Sequence, residues 1–457
     1  MIKKLISKFT KERDFTSIPI TKAIWLLAIP IIISNMLQAM FNLIDMAWVG
    51  RLGAEALAAV SMSGSILMIL MFIMIGVGIG TTAMVSRFVG AKKYSEANTT
   101  AMQSLLMGLI GSLVFALAGY FLSPWFLRIL GAEPAVIALG TGYLQITFIG
   151  VIVMFYMFLI SAILQGAGDT VTPMLILAVS VFINIILDPL MIFGVGFFPR
   201  MGVNGAALAT VIAEGIGSAI ALEVLLKGRS KVHVRLDHFK VDFDRMWRIL
   251  KIGIPASIQM SLRGLMGLVL MAIVAGFGTY AIAAYGVGLR LSMLAMMPGF
   301  AFGGAAATLV GQNLGAEKPE RAVASAWSTV GYYSIFMLSL SVLFFIWAPR
   351  FMMVFNNQPE VISMGADFLR FIAAGNLFVA VGLILGRSIS GSGDTTPVAV
   401  FTFIALWLIQ MPLAFFLSRL PVLGVRGIWI ATLVAQVVLA GLTTFWFQLG
   451  RWKHKKV

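Results

Sequence analysis

Asn35, Gln38, Asn42 and Asp45 follow one another at spacings of 3, 4 and 3 residues along an otherwise apolar run. At about 100° per residue, the four share an arc of about 80° on one face of a helix. In a second apolar run, Asn184 and Asp188 stand one helical turn apart and share a face in the same way. A carboxylate inside apolar sequence is costly unless it is paired or opens to a cavity, so it marks a functional site. The chemistry open to this set is reversible binding of a proton or a small cation. The plainer alternative is a group of buried polar residues that fix helix packing. Glu214 is open to the same two readings, a third proton site or a packing hydrogen bond. Asp367 and Arg370 are three apart and suited to pair with each other. Arg263 and Arg290 are cations in apolar surroundings whose role the sequence leaves open.

Other chemistries are excluded by what the chain lacks. It has no cysteine, so no disulfide, thiolate metal site or cysteine nucleophile is available. Its three histidines, His233, His238 and His454, all lie in charged stretches. No GxxxxGK[ST], HExxH or suitably placed GxSxG occurs, which removes ATP-driven work and common hydrolase chemistry. An integral-membrane enzyme would need a clustered His/Asp/Glu or Ser/His site, and none is visible. No cofactor is expected.

The elements that must position these residues are membrane helices. The chain is 457 residues long, 60% apolar and 11% charged, with a mean hydropathy of +0.99. A soluble domain averages about 25% charge. Runs of about 20 apolar residues mark a span, and they fall at 23–47, 57–82, 99–121, 136–161, 171–195, 204–226, 247–275, 281–307, 324–347, 362–387, 396–419 and 425–448. The first run is too long for a signal-peptide core and has no small-residue cleavage site, so it reads as a span.

Alternating the loops sorts the cations. One side takes Lys3, Lys4, Lys8, Lys11, Arg13, Lys22, Arg87, Lys92, Lys93 and the whole basic stretch 227–251, followed by Lys318, Arg321, Arg387 and the C-terminal lysines. The other takes only arginines: Arg51, Arg128, Arg200, Arg350, Arg419 and Arg426. The positive-inside rule then sets both termini in the cytoplasm. It also accounts for the +15 net charge without nucleic acid.

The two halves repeat each other. Pro30 and Pro255, Gly90 and Gly315, and the Gly-Asp-Thr triplets at 168–170 and 393–395 are each 225 positions apart. Further on, "GVNGAALAT" from Gly202 answers "GVRGIWIAT" from Gly424, 222 apart. Six is an even number of spans, so both copies start on the same side. This is a parallel duplication about an axis along the membrane normal, which in transporters places the substrate path between two lobes. The predicted organisation is a first six-helix lobe at 1–226, a basic cytoplasmic connection at 227–246 and a second lobe at 247–457. The repeated triplets also satisfy ordinary turn chemistry: Gly for positive φ, Asp as a cap, Pro in a first helical turn.

With these motifs in view, the sequence resembles the MATE (multidrug and toxic compound extrusion) transporters, and within them the DinF-like branch. The likeness covers essentially the whole chain. It rests on the duplication, on "IPIIISNMLQAMFNLIDMAWVGRLG" in the first span, and on "LQGAGDTVTPM" leading to "NIILDPL" in the fifth. It implies a monomeric multi-pass protein of a prokaryotic inner membrane that exports amphipathic or cationic small molecules against inward H⁺ or Na⁺. It further implies cation coupling at Asp45, Asn184 and Asp188, with Gln38 and Tyr143 lining the pocket beside Asn35 and Asn42. Phe41 stands where some relatives carry tyrosine, which removes a hydroxyl from that network. No carboxylate occurs in spans seven to nine, where sodium-coupled relatives carry one, and this favours H⁺. A flippase for lipid-linked sugars, from the same superfamily, would favour a strongly cationic cavity; Arg263, Arg290 and Arg370 are the candidates for one. Pro30 removes a backbone donor within span one and is the expected bend. Methionines at Met68–Met74 and in Leu294–Phe300 suit a pliable apolar surface, or ordinary packing.

Overall fold

The computed structural model describes residues 14–196, 198–234, 240–455 and 457. The N-terminal cations Lys3 to Arg13, Arg235, His238 and Lys456 lie outside the described residues. Among the described residues, twelve helices are long and apolar enough to cross a membrane: α1 (Ile20–Gly50), α2 (Ala54–Gly90), α3 (Tyr94–Ile129), α4 (Pro134–Ala167), α5 (Val171–Phe193), α6 (Val203–Leu226), α7 (Phe243–Ala275), α8 (Thr279–Gly315), α9 (Pro319–Met353), α10 (Pro359–Gly391), α11 (Thr395–Ser418) and α12 (Arg426–Leu449). Each predicted span falls on one of them. Large apolar side chains such as Phe121, Phe182 and Phe345 are exposed. That is the expected solution in lipid, whose hydrocarbon accepts apolar side chains while every backbone group bonds within its own helix.

The chain forms two compact units, one built from Leu26–Gly253 and the other from Phe15–Trp25 with Ile254–Val457. In the first, α4 is central and packs on α2, α3 and α6, while α5 packs on α6. In the second, α10 takes the same role against α8, α9 and α12, and α11 packs on α12. The duplication read from sequence is therefore a duplication of packing.

Small residues allow these approaches. A Cβ at Gly205 would lie 2.5 Å from the Met191 carbonyl, and one at Gly391 would run into the backbone of Ala307. The repeated triplets are turns: Gly168 and Gly393 both take left-handed backbone, with φ of 90° and 93°. Asp169 Oδ1 accepts the Thr172 amide at 3.0 Å and Oδ2 its hydroxyl at 2.6 Å. Burial pushes the Asp169 carboxyl up, and the bonds from Thr172 oppose that shift. Asp394 instead accepts the Trp446 indole at 3.1 Å and faces Lys455 Nζ at 3.1 Å, tying α12 and the tail to the turn before α11.

Pro30 is buried inside α1. Its missing N–H frees the Leu26 carbonyl, and the Thr170 hydroxyl reaches that oxygen at 3.5 Å. Ser34 Oγ donates to the Pro30 carbonyl at 2.9 Å. The interruption is thus bridged by side chains, one of them from the Gly-Asp-Thr turn.

Both units hold a borrowed segment at their basic end. In the first, Arg245 at the start of α7 donates to Glu96 Oε2 at 2.7 Å and to Asp242 Oδ2 at 3.1 Å. Gln103 takes the Asp242 amide at 3.1 Å and donates to the Lys240 carbonyl at 2.7 Å. In the second, Lys318 Nζ donates to the Thr16 carbonyl at 3.0 Å, and Arg321 Nη2 donates to the carbonyls of Phe15 and Ile18.

Candidate functional site

Four helices of the first unit contribute polar groups to one place: α1 carries Asp45, α4 Tyr143, α5 Asn184 and Asp188, and α6 Thr210 and Glu214. Asn184 and Asp188 are buried, at 1% and 0% exposure. The Asn184 amide donates to Asp188 Oδ1 at 3.0 Å and to Thr210 Oγ1 at 3.3 Å, tying α5 to α6. The charge of Asp45 reaches Asp188. Tyr143 lies within the field of Asp45, Asp188 and Glu214 together. Its ring joins an apolar cluster of Val49, Ile192, Val203 and Ala206, with Trp48 and Phe193 stacked edge to face beside it.

The chemistry of the site lies in its unmatched oxygens. Asp45 Oδ1, Asp188 Oδ2 and Asn184 Oδ1 are buried and accept no hydrogen bond, and neither does the nearby Asn204 Oδ1. A buried acceptor without a donor is rare, because desolvation then goes uncompensated. Several together form an electron-rich pocket that suits an added proton or a small hard cation. Na⁺ would find its oxygens on Asp45, Asn184 and Asp188.

Of the residues singled out in sequence, Asp45, Tyr143, Asn184, Asp188 and Glu214 come together here. Gln38, Asn35 and Phe41 lie along α1, each half-buried, and Asn42, about 60° round the helix from Asp45, is exposed. Sequence reading missed Thr210 and Asn204. Their signal was present: both belong to the repeated "GVNGAALAT" stretch, and Thr210 is one turn before Glu214. The Asn204 amide lies over Gly142, where a Cβ would be 2.6 Å from Oδ1, so only glycine admits it beside Tyr143. In the second unit Asp367 faces Arg370 at 3.8 Å, but its shorter contact is with Arg426 at 2.6 Å. Arg290 is exposed.

The chain matches the MatE family twice, over residues 30–190 and 255–416, once in each repeat. It is 30% identical to the probable multidrug resistance protein YpnP of Bacillus subtilis, over 98% of this chain and 99% of that protein. It is 27% identical to the probable multidrug resistance protein NorM of Thermotoga maritima, over 96% and 94% of the two chains. It also superposes, with a TM-score of 0.90, on the crystal structure of a MATE protein in the bent conformation, at 24% identity and 96% and 98% coverage.

Proposed function

The chain belongs to the MatE family of membrane transporters, and on that premise we propose that it is an efflux antiporter, exporting amphipathic or cationic small molecules in exchange for inward H⁺. Na⁺ is the alternative ion. Its relatives' names as multidrug resistance proteins support the export reading. The observation that carries the coupling is the set of unmatched oxygens on Asp45, Asn184 and Asp188. With both carboxylates ionised, repulsion adds to the cost of burial. A proton or Na⁺ removes the repulsion and lets α1 and α5 pack more closely, with Pro30 as the bend. The ion then acts through its different affinities for two conformations, the only way a ligand shifts such a balance. We further propose a monomer in a bacterial inner membrane; the lysine distribution supports cytoplasmic termini. The absence of any carboxylate in the apolar spans of α7, α8 and α9 favours H⁺.

Reconstitution tests this directly. Proteoliposomes should extrude a lipophilic cation such as ethidium under an imposed pH gradient, and Asp45→Asn protein should not. Extrusion driven by a Na⁺ gradient alone would reassign the ion, and unimpaired extrusion by Asp45→Asn would overturn the site. For topology, a cysteine at Lys240 in this cysteine-free chain should resist an impermeant thiol reagent added outside, and one at Gly278 should react.

A further inference from the structure

The second unit contains a feature that cation export does not use. The charge of Arg387 on α10 reaches Arg263 on α7. Among the described residues neither forms an ion pair or a hydrogen bond. The acids on α10 and in the turn after it are engaged elsewhere: Asp367 with Arg426 and Arg370, at the opposite end of α10 from Arg387, and Asp394 with Lys455 and Trp446. The Nε atom of each arginine is buried and unpartnered. Both side chains are nevertheless only half-buried, and their terminal nitrogens keep accessible surface. The forked, donor-rich end of each guanidinium is therefore the part left open.

The surrounding packing is shaped to these side chains. Arg387 lies across Gly303 of α8, where a Cβ would come 2.9 Å from its Cγ, so a glycine makes room for the arginine stem. One turn along the same helix, Gly299 makes room for the Tyr333 hydroxyl, which is also buried and unpartnered. On the Arg263 side, the Trp407 indole donates to the Leu262 carbonyl at 3.3 Å. Trp407 belongs to a π-helical segment, Ile404–Gln410, a local irregularity that recurs at functional sites.

Two like charges held together in apolar surroundings without a counter-charge are unfavourable alone and favourable around an anion. Paired guanidiniums match the planar geometry of carboxylate and the oxygens of phosphate. We propose that Arg263 and Arg387 form an oxyanion site in the second unit that holds the carboxylate or phosphate group of an amphipathic molecule. The source is either an organic anion taken up as substrate or a lipid headgroup. The proposal goes beyond cation efflux and does not rest on ion coupling in the first unit, because anion binding is measured without any gradient.

The test uses purified full-length protein in nanodiscs of zwitterionic phosphatidylcholine, with 2-naphthoate and 2-naphthyl phosphate as probes and neutral 2-naphthol as the control. Calorimetry should give both anions an affinity at least tenfold above that of 2-naphthol. Arg263→Gln and Arg387→Gln should each lose at least tenfold for the anions and leave 2-naphthol unchanged. Gly303→Ala, which keeps every charge but displaces the Arg387 stem, should weaken the anions severalfold, so the site stays testable if an arginine variant folds poorly. Naphthoate should raise the melting temperature of wild type but not of Arg263→Gln. Adding phosphatidylglycerol separates the sources: competition with naphthoate assigns the lipid headgroup, and no competition assigns a soluble organic anion. Naphthoate binding no tighter than 2-naphthol, or unchanged in both arginine variants, would overturn the proposal.

Discussion

Where the first unit has Asp45 on its leading helix, the second has Leu270 at the repeat-equivalent place, 225 positions on; where the first has Tyr143, the second has Phe368. Glu214 gives way to Gln436 in the stretch offset by 222. The substitutions run the other way as well: Gln38 and Ala162 stand where the second unit has Arg263 and Arg387. The scaffold between these positions is unchanged. Each unit joins its fifth and sixth helices by an amide-to-threonine hydrogen bond, Asn184 to Thr210 at 3.3 Å and Gln410 to Thr432 at 3.0 Å, and the two threonines are repeat equivalents. The contact between Asn204 and Gly142 becomes an ion pair between Arg426 and Asp367, again at equivalent positions. Duplication preserved the packing and released the polar positions. One unit filled them with acids around unmatched oxygens; the other filled the corresponding apolar core with Leu270, Phe368 and Trp429. The lesson is that helix packing and site chemistry reside in separable sets of residues.

Asp45→Asn and Asp188→Asn should separate the two units most strongly. Each should abolish coupled extrusion, a loss of at least a hundredfold in proteoliposomes, while expression and melting temperature stay near wild type. Weaker but sharper is the paired test of the shared amide bond. Asn184→Ala and Gln410→Ala should each cost about 1 kcal/mol of stability, yet only Asn184→Ala should reduce extrusion by tenfold or more. Equal losses of transport would mean that the bond, not the acids around it, is what matters. Smaller again is Asp367→Asn. Arg426 is largely exposed, so losing this pair should cost at most about 0.5 kcal/mol in thermal unfolding and leave transport unaltered. The smallest effect concerns the basic-end clamps. The Arg245 backbone N–H, with the Arg245 and Arg248 charges, holds the Asp242 carboxyl below its usual range. A depressed native value means the contribution is present above the unfolded value of about 4 and lost as pH falls through the lower native one. Asp242→Asn should therefore melt slightly below wild type at pH 7 and at pH 5, and the difference should close toward pH 3.

The twelve spans were legible because a membrane leaves few solutions: about 20 apolar residues can only be a helix there. The repeat was legible because Pro30, Gly90 and Gly168 recur as ordered, chemically distinctive marks. Asp45 and Asp188 stood out because charge is rare in such runs. Tyr143 came only from family resemblance, since nothing local distinguishes a buried tyrosine. Thr210 and Asn204 were passed over, although both lie in the repeated stretch, because small polar residues are common on packed membrane helices. The π-helical segment leaves no periodic trace, because a uniformly apolar helix has no pattern for an inserted residue to shift. Arg387 lies near a predicted span end, where sequence groups it with the cytoplasmic cations; its contact with Gly303 and its buried Nε show the packed stem. The long-range bonds of Phe15, Thr16 and Ile18 depend on tertiary pairing that no local pattern encodes.

Those bonds have a consequence for how the chain is made. Lys318 lies 302 residues beyond the Thr16 carbonyl that it holds. At a synthesis rate of about 5–20 residues per second, the earliest segment waits about 15–60 s for its partners to leave the ribosome. The first unit closes once Gly253 has emerged, but the second can be completed only by reaching back to Phe15–Trp25. Completion of the second unit thus requires closing a loop of 302 residues, and a nascent chain stalled before Lys318 would present Phe15–Ile18 without the Lys318 and Arg321 donors.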